Sequence, residues 1–185
     1  NFDFEIRATQ AEDKEELYVE GRAITFNDPT VLWEYDGVQY KEQIDDRALD
    51  EADMSDVIFN YNHSGKVMAR TRNKTLDLKI DKKGLWIKAR LDGTEEGRKL
   101  YEEIKGGYID RMSFRFTVTE SAYDSENHMR IIRKIKKLYD VSAVDIPAYN
   151  TTSISARGFF STQEEILRKE HEKELRKKLL LKTYF

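Results

Sequence analysis

The chain has 185 residues, 36% of them charged, and a net charge of −3, a dense but balanced surface that argues against a broad nucleic-acid-binding face. It contains no cysteine, which excludes disulfides, thiolate zinc sites and a cysteine nucleophile. No apolar run approaches the roughly 18 residues of a membrane span, and Asn1-Phe2-Asp3-Phe4-Glu5 lacks the order of a signal peptide, so a soluble, non-secreted protein without a membrane partner is expected. The Asn1 start is expected to reflect trimming or processing.

Taken in order, residues 2–8 and 17–26 alternate as strands, separated by the polar run Glu12-Asp13-Lys14-Glu15-Glu16. Asn27-Asp28-Pro29-Thr30 is a turn, because proline fixes its own φ and pushes Asp28 out of the helical region. Residues 31–35 and 38–44 flank Asp36-Gly37, a hairpin pair that tolerates positive φ. Ala48, Leu49 and Ala52 predict one or two helical turns over residues 45–53. Residues 57–63 read as a strand ending at His63. Strands over 67–72, 75–80 and 85–91 are candidates for one antiparallel sheet.

Thr94 predicts the cap of a helix over residues 95–105, with Glu95 and Glu96 in its first turn and Leu100, Tyr101 and Ile104 on its buried side. A glycine turn at Gly106-Gly107 then feeds a strand in which Met112, Phe114, Phe116 and Val118 share one face, and Ser113, Arg115 and Thr117 the other. A charged hairpin tip at Asp124-Ser125-Glu126-Asn127 leads into a long strand from Met129 to about Val144, which carries Asp140. Residues 163–182 predict a long helix capped by Ser161 or Thr162. Its Leu167, His171, Leu175 and Leu179 form a narrow stripe, to be buried against its own domain or a partner chain.

A hydroxyl is a weak nucleophile unless a base lies within hydrogen-bond reach and something orients that base. Of the three histidines, His171 lies in the charged tail helix and His128 at a hairpin tip, both ordinary solvated positions. His63, beside Asn62, Ser64 and Gly65, reads either as a turn residue or as a base. Ser113 alone reads as a solvated serine on the polar side of a strand. Isolated histidines, no HExxH and no cysteine leave no metal ligand set, and no Gly-rich phosphate loop is present, so neither metal nor cofactor is expected.

Five segments in order alter that balance: Glu20-Gly21-Arg22-Ala23-Ile24-Thr25-Phe26-Asn27, Tyr61-Asn62-His63-Ser64-Gly65, Lys83-Gly84-Leu85-Trp86-Ile87, the Gly106 to Val118 stretch, and Leu138 to Ala148. With these segments the chain resembles the prohead (capsid maturation) protease family of tailed phages, from residue 18 or so to residue 157 or so. The resemblance implies that Ser113 is the nucleophile, His63 the base and Asp140 the third member of the set. The family more often places Glu there, and Asp140 is one methylene shorter. A cross-strand salt bridge to Lys or Arg is the alternative role for Asp140. Arg130 and Arg133 are candidate electrostatic helpers.

The implied fold is mainly β with helices (α+β), an antiparallel β-barrel like that of the herpesvirus assembly protease over residues 1–160, with a C-terminal helical tail over 161–185. The implied activity is serine endopeptidase cleavage of scaffold protein or scaffold segments, and of itself, inside the immature capsid in the host cytoplasm. Phage scaffold protein, major capsid protein and further copies of the chain, as a homo-oligomer such as a dimer, are the implied partners. An inactive scaffold, chaperone or capsid-interaction domain of the same fold is the alternative.

Overall fold

Strand β10, Met129–Val144, runs for 16 residues and organises the larger part of the molecule. The computed structural model describes residues 6–10, 16–145 and 153–183, and the chain divides into two compact units, Asn1–Ala148 and Tyr149–Phe185. Within the first, β1 is Ile6–Gln10, β2 Leu17–Thr25, β3 Thr30–Tyr35, β4 Val38–Ile44, β5 Ile58–Tyr61, β6 Ser64–Arg70, β7 Leu76–Asp81, β8 Gly84–Arg90, α1 Glu95–Lys105 and β9 Arg111–Asp124. The second holds α2, Ser153–Thr183.

No closed barrel is found among the described residues. The strands form a four-stranded sheet in the order β1-β2-β8-β7 and a six-stranded sheet in the order β3-β4-β10-β5-β6, with β9 paired to β10. Alternation identifies strands but not their partners, and the expected all-antiparallel set is broken because β4 and β5 both run parallel to β10. β10 is long enough to hold them in tandem on one edge, β4 against Met129–Ile132 and β5 against Asp140–Ala143. The other edge belongs to β9 throughout. The strands at 67–72, 75–80 and 85–91 likewise separate: β6 joins the larger sheet, whereas β7 and β8 join the smaller.

Residues 45–53 are a run of hydrogen-bonded turns rather than a helix, with Ala48 N–H donating to Asp45 O and Ala52 N–H to Leu49 O. They fill the gap between β4 and β5 along β10. Ile135 N–H donates to Ala48 O, Asp53 N–H to Lys136 O and Leu138 N–H to Asp53 O. With Ala48 O taken by β10, it does not accept from Ala52 N–H as an α-helix would require. α1 matches its prediction, with the Thr94 hydroxyl accepting from Gly97 N–H at 2.9 Å and Leu100, Tyr101 and Ile104 buried.

One core serves both sheets, joining Val19, Ile24, Leu85 and Ile87 of the smaller to Phe59, Ile132, Leu138 and Val141 of the larger. Each such side chain stabilises the fold by roughly 1.5–3 kcal/mol relative to an exposed one. Helix α2 begins at Ser153, well before its predicted cap, and Thr162 lies inside it, its hydroxyl donating to Gly158 O at 2.8 Å. A threonine that bonds back to its own helix cannot cap it. Leu167 and Leu175 of the predicted stripe are exposed, and the Leu179 side chain lies outside the described residues.

The β2–β8 pairing needs a glycine at position 84. Its φ is 146°, and a Cβ there would lie 1.8 Å from Ile24 O. Gly84→Ala is therefore expected to lower stability by about 3 kcal/mol or more, read as a shifted denaturant midpoint at constant slope. An unchanged midpoint would show that β2 and β8 separate freely.

Candidate active site

The site lies where β5, β9 and β10 run side by side, and an irregularity in β10 decides which side chains face it. Ile132, Ile135, Leu138 and Val141 are buried at intervals of three, a spacing that plain alternation cannot hold on one face. The register against β9 shifts between Ile132 and Lys134, between Ile135 and Lys137, and between Leu138 and Asp140, leaving Arg133, Lys136 and Tyr139 of β10 as extra residues, and between Lys134 and Ile135, where Thr119 of β9 is the extra one. A bulge of this kind reverses inward and outward positions beyond it. Leu138 opposes Phe116, whereas Asp140 opposes Arg115. Tyr139 thus turns Asp140 and Ser142 away from the core face and hands that face to Val141 and Ala143.

Beyond the bulge the three strands present aligned rungs. Ser142 of β10 stands between Asn60 of β5 and Ser113 of β9, and Asp140 stands between Ile58 and Arg115. Side chains directly opposite on one face have Cβ atoms about 4.5–5.5 Å apart. Ser113 leaves the apolar face of β9 as its alternation predicts, and is half-buried.

His63 is not the last residue of a strand. β5 stops at Tyr61, which pairs with Ser64, so Asn62 and His63 form a two-residue hairpin loop. Their φ values are 50° and 54°, the left-handed pair that matches the twist of the flanking strands. Asparagine tolerates this region readily, and its side chain ties the loop to the end of β10 by accepting from Asp145 N–H at 3.4 Å. Asn62 N–H donates to Ala143 O at 3.0 Å. The loop therefore folds His63 back over the polar rungs.

His63 Nδ1 lies 2.5 Å from Asp140 Oδ1, and the Asp140 carboxylate is only 2% exposed. A buried carboxylate beside Nδ1 holds the proton on that nitrogen and leaves Nε2 with its lone pair outward. Arg115 braces the pair from the solvent side. Its Nη2 donates to His63 O at 2.8 Å and its Nε lies 3.5 Å from Asp140 Oδ2. The cross-strand ion pair weighed for Asp140 is therefore present together with the histidine contact. Ser142 Oγ donates to Asp140 Oδ1 at 2.9 Å and lies 3.1 Å from His63 Nδ1.

The structure joins His63 to Asp140 and places Ser113 one rung position away, opposite Ser142. Among the described residues no hydrogen bond links Ser113 to His63. Arg130 lies about 30 Å from Asp140 along β10, pairing instead with Glu42 at 3.2 Å, where burial pushes the Glu42 carboxyl up against the pull of the arginine. Arg133 is exposed at the first bulge. Arg115 is the arginine at the site, and its signal was its place two residues after Ser113 on the same face. Asn60 and Ser142 carried no such signal, because their role depends on pairing between distant segments.

Among the described residues no group of histidine and carboxylate side chains could hold a metal ion, and no helix is long and apolar enough to cross a membrane.

An oriented imidazole on a buried carboxylate, beside a strand serine, is the kind of constellation on which serine hydrolases are built. The chain belongs to the caudovirus prohead serine protease family, whose model matches residues 2–174. Membership makes it a protease of phage capsid maturation. A similar solved structure is that of the bacteriophage T4 capsid assembly protease, gp21. The two share a TM-score of 0.46 and 18% identity, over 77% of this chain and 96% of that one. No curated protein matches the chain.

The bulge can be tested apart from any activity. Tyr139 is 41% exposed, so Tyr139→Ala is expected to change stability by about 1 kcal/mol or less. Deleting Tyr139 should cost about 3 kcal/mol or more, since Asp140 and Ser142 would then enter the core face. Equal melting of the two variants would show that the extra residue does not set the faces.

Proposed function

We propose that Ser113 is the nucleophile, His63 the general base and Asp140 the residue that orients His63, in a serine endopeptidase that cleaves scaffold protein or scaffold segments during capsid maturation. The observation that carries the reading is the contact between His63 Nδ1 and the buried Asp140, because it leaves Nε2 as the imidazole's free acceptor. Ser142 is also near His63, but it is fully buried and its hydroxyl is committed to Asp140 and Asn60, so it cannot meet a peptide carbonyl. Half-buried Ser113, opposite it, can.

In the reaction, Ser113 Oγ bonds to the peptide carbonyl carbon while its proton passes to His63 Nε2. The tetrahedral intermediate collapses as His63 returns that proton to the leaving amine, and the acyl group stays on Ser113. Water then gives a proton to His63 as it attacks the ester, and His63 passes that proton to Ser113 Oγ as the second product leaves, which restores both residues. Bound substrate draws Ser113 and His63 into contact, since catalytic hydrogen bonds commonly tighten on binding.

Family membership supports the substrates and setting: scaffold protein, the chain itself as target of autocleavage, and the major capsid protein as a neighbour inside the immature shell in the host cytoplasm. Packaging into a shell raises the effective concentration of enzyme and substrate, so assembly itself regulates cleavage. Copies of the chain act as a homo-oligomer, for which the exposed Leu167 and Leu175 of α2 offer apolar contacts. The missing Ser113–His63 hydrogen bond favours a second reading, an inactive scaffold or capsid-interaction domain of the same fold.

Co-expression with the phage's scaffold protein separates the two. Ser113→Ala is expected to melt within about 0.5 kcal/mol of the native protein, yet to leave scaffold and chain uncleaved. His63→Ala should be about as damaging alone as in combination with it, since the two act as one unit. Asp140→Asn should slow cleavage by about 10⁴, as loss of the orienting carboxylate does in other serine proteases. Cleavage by the Ser113→Ala protein would remove Ser113 from the mechanism, whereas a native chain that cleaves neither scaffold nor itself would leave the second reading.

A further inference from the structure

The proposed set leaves one buried polar chain unused. Ser142 is completely buried and Asn60 is 4% exposed, on neighbouring strands at the same rung. Their immediate neighbours in β10, Val141, Ala143 and Val144, are apolar and equally buried, so a small apolar residue at position 142 would fit without the cost of burying a hydroxyl. The Ser142 hydroxyl has one proton and two lone pairs, and three partners surround it: Asn60 Oδ1 at 2.5 Å, Asp140 Oδ1 at 2.9 Å and His63 Nδ1 at 3.1 Å.

We propose that Ser142, held by Asn60, is a positioning residue that fixes the tautomer of His63 and the rotamer of Asp140. It rests on the reading of His63 as the base. With the proton on His63 Nδ1, the N–H is shared between Asp140 Oδ1 and Ser142 Oγ. A ring carrying its proton on Nε2 instead would set two lone-pair atoms, Nδ1 and Asp140 Oδ1, against each other, with a single Ser142 proton to serve both and Asn60. The hydroxyl proton itself stays bonded in either direction, to Asp140 or to Asn60. Asp140 Oδ1 thus carries the histidine and Ser142 from the buried side, and Oδ2 faces Arg115. A carboxylate gripped on both oxygens cannot rotate out of reach when His63 takes a proton, which is the moment at which its charge is needed.

The test uses the full chain labelled with nitrogen-15 at histidine, and reads the His63 ring nitrogens by NMR together with scaffold cleavage. The native protein is expected to show one neutral tautomer with the proton on Nδ1. In Ser142→Ala, a folded protein is expected whose His63 signals move toward a mixture of tautomers and whose cleavage falls by between about 10- and 1000-fold, less than on losing Asp140 itself. Should Ser142→Ala fail to fold because Asn60 is left unpaired, the pair Asn60→Leu with Ser142→Ala removes both partners and is read in the same way. Unmoved ring nitrogens overturn the proposal, whether or not cleavage falls. If the native chain cleaves nothing but the nitrogens move in Ser142→Ala, the endopeptidase reading fails and the positioning role stands.

Discussion

The contact between His63 and Asp140 depends on the residue that precedes Asp140 in the strand. Tyr139 is inserted in β10 without a partner on β9, and the insertion is what brings the next side chain, Asp140, out of the core. An ionised carboxylate in the apolar face would lack partners, and an unpaired charge buried there is among the costliest faults a fold can carry. Facing the other way, the same carboxylate meets His63, Ser142 and Arg115, which together satisfy both of its oxygens. Three bulges in one strand also let Ile132, Ile135, Leu138 and Val141 keep intervals of three while all four reach the core.

Topology supplies the rest of the site. Because β5 runs parallel to β10, its end and the hairpin loop that follows lie at the same end of the sheet as Asp140. An antiparallel neighbour would deliver that loop to the far end. Positive φ at Asn62 and His63 then folds the loop tightly enough that its second residue returns over the strands. β9, paired along the other edge of β10, contributes Ser113 and Arg115 at neighbouring rungs. Residues from three separate stretches of sequence meet on rigid strands rather than on long loops, which favours the fixed geometry that general base catalysis needs.

Much of this was legible from the residues. Alternation marked Ser113 as leaving the apolar face, Asp36-Gly37 marked its hairpin, and Thr94 marked the start of α1. What was hidden has one cause: periodicity speaks of a strand's own faces and not of its neighbours. The parallel pairing of β4 and β5 with β10, and the division of the strands into two sheets among the described residues, could not be read from strands that look alike in either direction. The turns over 45–53 have helical spacing at Ala48, Leu49 and Ala52, but Ala48 O and the backbone of Asp53 are claimed by β10. Ser142 and Asn60 stayed silent because a buried hydroxyl or amide has meaning only once its rung partners are known. The spacing of Ile132, Ile135, Leu138 and Val141 was the available clue to the bulges, since period three fits neither a plain strand nor a helix.

The central claim is that the His63–Asp140 pair serves Ser113 and no other serine. It is tested most directly by treating the folded protein with a fluorophosphonate, which forms a stable phosphonyl ester with an activated serine, and locating the added mass by peptide mapping. The account predicts a single adduct on Ser113, lost in His63→Ala, with Ser142 unmodified in its buried place. An adduct on Ser142 or on any other serine, or labelling of Ser113 that proceeds equally fast without His63, would contradict it.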